Sequence, residues 1–134
     1  MRFRISSFIR LRRSVYHTRS RKLYLANKEA TRALVHERVS HFNSYYKLPV
    51  GKIAIRNQRS RWGSCSRKGN LNFNYKLVFL PPALQDYIIV HEICHIREFN
   101  HGHGFWSLVG ETMPEWKILR NELKRVGSRT SVKL

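Results

Sequence analysis

The chain predicts an α+β domain in which a small sheet is backed by helices, and three observations carry that expectation. Val35, Val39, Phe42 and Tyr46 recur at helical spacing. Leu71, Phe73, Tyr75, Leu77 and Phe79 alternate as one face of a strand does. Leu84, Ile88, His91 and His95 mark the stripe of a second helix, since residues three or four apart share a face.

Each element can be placed in order. Residues 1–24 read as a basic arm, with Arg2-Phe3-Arg4-Ile5 alternating like a strand, and residues 25–134 as the domain proper. Asn27 is suited to cap a helix running to about Tyr46, and Leu48-Pro49-Val50-Gly51 ends it. Residues 52–57 form a strand through Ile53 and Ile55. Arg67-Lys68-Gly69-Asn70 is a turn, so 62–66 and 71–80 pair as an antiparallel hairpin. Pro81-Pro82 opens a helix over 82–99, because proline fits the first turn. Asp86 reads as an early acid that favours the helix dipole. A short helix over 103–110 follows. Thr112 and Glu115 form a capping box for a last helix carrying Trp116, Leu119, Leu123 and Val126, with Gly127 as its stop.

A single domain of 134 residues can bury a real core, and 42% hydrophobic residues fit a globular protein. No apolar run approaches the ~18 residues of a membrane span. Two cysteines, Cys65 and Cys94, are too few for a secreted disulfide scaffold and read as buried free thiols.

His91, Glu92 and His95 spell H-E-x-x-H. On a helix, two imidazoles at that spacing can grip one Zn²⁺, and the glutamate beside them can act as general base on a zinc-bound water. Hydrolysis is the chemistry this arrangement serves. A catalytic zinc takes three protein ligands and keeps one position open. His101 and His103 are the nearby candidates for the third, with Glu111 a weaker one. His101 stands six residues after His95, the span in H-E-x-x-H-x-x-G-x-x-H, but Glu98 occupies the glycine of that motif. A straight helix would carry His101 off the shared face. The chain must therefore turn near Phe99 and Asn100.

Further words appear in order along the chain. They are Arg61-Trp62-Gly63-Ser64-Cys65-Ser66, Gly69-Asn70-Leu71-Asn72-Phe73-Asn74, Leu80-Pro81-Pro82, Asp86-Tyr87-Ile88-Ile89-Val90-His91-Glu92, and Asn100-His101-Gly102 with Phe105-Trp106. Together they closely resemble the YgjP-like metallopeptidase domain, a relative of the SprT-like and WLM zincins. The resemblance runs from about Asn27 to Leu123. It implies a compact zincin fold with zinc held by His91, His95 and His101 and with Glu92 as base. Gly102 stands where that family usually has serine. In related zincins an extended peptide substrate lies along an edge strand beside the zinc helix. Arg61, Trp62 and Asn74 are the candidate substrate-binding residues here, and Trp106 and Tyr75 are further aromatic candidates for lining the cleft.

Charge is the second distinctive property. Lys and Arg number 26 against 8 acids, a net +18, and nine of those bases precede the first acid, Glu29. Such a balance favours nucleic acid or another polyanion as a partner. An acid-poor, Arg- and Ser-rich start also suits a transit peptide, but no clear cleavage signal follows, so the cytoplasm is expected; the protein is also expected to be a monomer. The function expected is a zinc-dependent hydrolase, foremost a peptidase acting on peptide or protein. The alternatives are a metal-dependent nucleotide phosphohydrolase, with Arg56, Arg59, Arg61, Arg67 and Lys68 as phosphate clamp, and a nucleic-acid binder with structural zinc.

Overall fold

A computed structural model of the chain describes residues 4–130 and 134, with side-chain surroundings for 20–127 and 134. The order of elements is α1 (Arg4–Tyr46), β1 (Ile53–Arg56), β2 (Gly63–Cys65), β3 (Leu71–Asn74), a 3-10 segment (Tyr75–Phe79), α2 (Pro82–Cys94), α3 (His103–Thr112) and α4 (Trp116–Thr130). The α+β expectation holds.

The first helix is much longer than the sequence suggested. It starts at Arg4, not at Asn27, and runs unbroken for 43 residues, about 65 Å at 1.5 Å per residue. No glycine or proline interrupts that stretch, so nothing local stops it. Asn27 therefore lies inside the helix, where its amide donates to the Leu23 carbonyl, and does not cap it. The strand expected at residues 2–5 falls partly outside the described residues, and Arg4 and Ile5 are helical. At the other end Lys47 takes a left-handed φ of 52°, and the Asn43 side chain brackets Leu48 through both its N–H and its carbonyl.

The sheet is mixed and has the order β1-β3-β2. β2 and β3 pair antiparallel as expected, with Gly63 opposite Phe73, while β1 joins β3 in parallel. The second hairpin strand is shorter than the alternation implied. It stops at Asn74, whose side-chain oxygen accepts from Lys76 N–H at 3.0 Å and starts the 3-10 segment. Tyr75 and Leu77 are still buried there, but Phe79 is 59% exposed.

α2 is the centre of the packing: it touches α1, α3, α4 and β2. Its Ile88, Ile89, Val90, Ile93 and Cys94 have no exposed surface, which marks a helix enclosed on nearly all sides. Val35, Val39, Phe42 and Tyr46 of α1 pack into the same core. Asp86 is anchored to α1 and does not serve the helix dipole: both its oxygens accept from Arg38, at 2.7 and 2.9 Å. The proposed capping box is also absent, because the Thr112 hydroxyl bonds Tyr46 at 2.7 Å. Gly127 does not stop α4, which continues to Thr130. Among the described residues no helix is long and apolar enough to cross a membrane.

Candidate metal centre

Leu80-Pro81-Pro82 delivers the chain into α2 with Pro82 at the first helical position. From there the 3.6-residue period sets His91 and His95 side by side, with their Nε2 atoms 3.0 Å apart. The helix does not run to 99 as expected. It ends at Cys94, His95 acts as its C-cap, and the chain turns through 95–97. That earlier turn brings His101 back, so that its Nε2 lies 3.2 Å from His91 Nε2. One ligand atom from each of the three imidazoles falls within 4.8 Å of the others, a group that could hold a metal ion.

The donor chemistry of this cluster suits a cation. His95 Nδ1 is 3.0 Å from the Glu98 carbonyl, which can only accept, so Nδ1 carries the proton. In the neutral ring Nε2 then presents its lone pair to the other two imidazoles. Burial lowers all three histidine pKa values, His91 down to about 2, with neighbouring positive charge adding to each. The rings are thus held in the neutral form that metals bind. His91 Nδ1 is buried without a hydrogen-bond partner among the described residues, and a cation shared by the three Nε2 atoms would be bound by their lone pairs.

Phe105 is the floor of the site. It has no exposed surface, stacks on His95 at 4.5 Å, and meets His91 and His101 edge-on, each at 4.9 Å. Burial grades outward from there: His91 is 5% exposed, His95 is half-buried and His101 is exposed. Trp106 lies beside the outermost ring, 5.9 Å from His101 and inclined by 26°.

Glu92 sits deeper. It is 2% exposed, and its Oε1 is 3.9 Å from His91 Nε2. Its Oε2 is buried without a hydrogen-bond partner among the described residues. Burial pushes the carboxyl up to about 8, while the charge of Arg61 pulls the other way. Gly63 of β2 makes room for it, because a Cβ there would lie 3.0 Å from Glu92 Cγ and equally near the Asn72 carbonyl.

The remaining candidates are spread out. Arg61 is exposed and close enough to act on Glu92. Trp62 is 2% exposed, in the core. Asn74 is wholly buried and its polar atoms are engaged: its amide donates to the carbonyls of Gln58 and Arg61 at 2.8 and 2.9 Å while its oxygen caps Lys76. It therefore acts as a brace for the loop before β2. Tyr75 is core, 1% exposed. His103 and Glu111 are exposed and stand outside the histidine cluster. Cys65 and Cys94 are both free, the first half-buried and the second buried; burial raises their pKa values to about 11 and about 12, so both are protonated at neutral pH. Phe105, which the sequence shows only within the Phe105-Trp106 word, and the exposed Arg120 have no site role that the sequence reveals. Arg120 stands four residues after Trp116 on α4, but only the tertiary contact with Trp106 reveals its place.

The family described as YgjP-like, metallopeptidase domain, matches residues 4–126. No curated protein matches the sequence. The fold is similar to the crystal structure of the metallopeptidase zymogen of Pyrococcus abyssi abylysin, with a TM-score of 0.64 and 22% identity over 75% of this chain and 98% of that one. A buried carboxyl beside three converging imidazoles, on a chain matched over nearly its whole length, leads to one assignment: the protein belongs to the YgjP-like metallopeptidase domain family and is a peptide-bond hydrolase.

Proposed function

We propose that the protein is a zinc peptidase in which His91, His95 and His101 hold the metal and Glu92 is the general base. The observation that carries this reading is the meeting of three neutral imidazole nitrogens with a buried carboxyl that lacks a partner for one oxygen. Three histidine ligands would leave zinc a position for water or substrate, as catalytic sites do and closed structural sites do not. Zinc supplies a Lewis acid that polarises the peptide carbonyl and acidifies water.

The protein's own residues do the rest. The Glu98 carbonyl fixes the tautomer and orientation of His95 through Nδ1. Phe105 keeps all three rings in place and excludes water from the deep side. Glu92 takes the proton of the attacking water and can return it to the departing amine nitrogen. Burial raises its proton affinity in the metal-free protein, and a bound dication beside it would lower that affinity and favour the carboxylate.

Glu92→Gln separates this from a structural metal site. The variant should keep its zinc and lose peptide cleavage by about 10²–10⁴-fold, the usual range for a general base. Undiminished cleavage by the zinc-loaded variant would remove Glu92 from the mechanism.

A further inference from the structure

Trp106 of α3 and Trp116 of α4 stack at 4.2 Å with their planes 14° apart. Arg120 follows Trp116 by one helical turn and lays its guanidinium over the Trp106 ring, with Cζ 5.1 Å from the centroid. Trp106 in turn lies beside His101. A long flexible side chain is thereby held against the ring that neighbours His101.

Among the described residues no carboxylate forms a salt bridge with this cation. The carboxylates of Glu29 and Asp86 pair with Arg32 and Arg38 instead. A second exposed guanidinium, Arg61, stands in the loop that leads into β2. This is an unfavourable arrangement for a centre whose task is to hold a cation, since a fixed positive charge beside the ligands opposes metal binding. A local conflict of that kind is expected where function requires it. An anionic group on the substrate resolves it.

We infer that Arg120, held by the Trp106–Trp116 stack, is the specificity-determining residue of the cleft and selects peptides carrying an acidic side chain close to the bond that is cleaved. This rests on the peptidase reading and gives its substrate a chemical class. The guanidinium offers paired N–H donors that match a carboxylate, and pre-orientation by stacking spares part of the entropy such a contact costs.

Two blocked, C-terminally amidated decapeptides test it, one alternating Glu and Ala and the other Gln and Ala. Binding is measured by calorimetry at 0.15 M salt on zinc-loaded Glu92→Gln protein, so that neither peptide is turned over. The Glu peptide should bind about tenfold more tightly, the effect of one charge-assisted hydrogen bond. Adding Arg120→Gln should bring that ratio close to one, and Arg120→Lys should restore part of it. Lys117, an exposed cation on the same helix that sits 5.5 Å from the Trp116 ring, serves as the control. Equal binding of the two peptides overturns the proposal. So does a ratio that survives Arg120→Gln, or one that falls as far in Lys117→Gln, because the preference would then belong to the net charge of the whole surface. Failure of the parent protein to cleave either peptide, with the Arg120-dependent ratio intact, would count against the peptidase reading and leave the acidic subsite standing.

Discussion

His95 has one hydrogen bond to the backbone and it determines the whole ring: Nδ1 donates to the Glu98 carbonyl, so Nε2 must point its lone pair at His91 and His101. Glu98 occupies the position where the longer zinc motif has glycine. Its contribution here is a backbone carbonyl, which any residue type could supply, so that departure leaves the geometry intact. Phe105 holds the three rings by contact alone. Phe105→Leu should keep the fold and weaken zinc binding by about tenfold, as loss of a group that orients ligands typically does. Competition with a chromogenic chelator measures this, and an unchanged affinity would show that Phe105 is filler. Glu92 and the spacing of His91 and His95 were legible in the sequence because a helix converts spacing into geometry. The juxtaposition of Arg120 with Trp106 was not, since it depends on how α3 and α4 lie against each other.

At the scale of elements, local patterns do not encode where a segment ends when the ending is made by tertiary contacts. Tyr75 and Leu77 continue the alternation of β3 and are buried, yet the backbone there is a 3-10 turn. The available signal was Asn74, a residue whose side chain competes with ladder hydrogen bonds. The end of α2 had no such signal, since residues 95–98 contain neither glycine nor proline. α1 was cut short because an asparagine resembles a cap, although nothing before it breaks a helix. Asn74→Ala should leave the buried loop carbonyls of Gln58 and Arg61 without their donor. A loss of about 1–3 kcal/mol in urea unfolding is expected, the cost of unpaired buried polar groups. A loss below about 0.5 kcal/mol would mean that water replaces the amide at no cost.

For the whole molecule, the buried site makes stability depend on pH in two opposed ways when metal is removed. The three histidines have lowered pKa values, His91 at about 2 against 6.5 for a free ring. The unfolded chain therefore gains protons that the folded one refuses, and the stability present above pH 6.5 is lost as pH falls toward 2. Glu92 works in the other direction, raised to about 8 from 4.5. Its contribution is complete below pH 4.5 and is lost as pH rises through 8. Three rings outweigh one carboxyl below pH 6.5, and the carboxyl acts alone above it, so the metal-free protein should be most stable near that point. Melting temperatures across pH 5–9 should fall on both sides by a few degrees. Glu92→Gln should flatten the alkaline side, and a steady rise in stability through pH 8 with Glu92 present would contradict this account.

The central claim is that three histidines, including one that only the turn after α2 delivers, make a single metal centre. Elemental analysis of the purified protein beside its His101→Ala variant tests it most directly. The account predicts about one zinc per chain in the parent, the stoichiometry of a three-ligand catalytic site, and its loss or marked weakening in the variant. Full retention of zinc by His101→Ala, or no metal in the parent even after reconstitution, would contradict it.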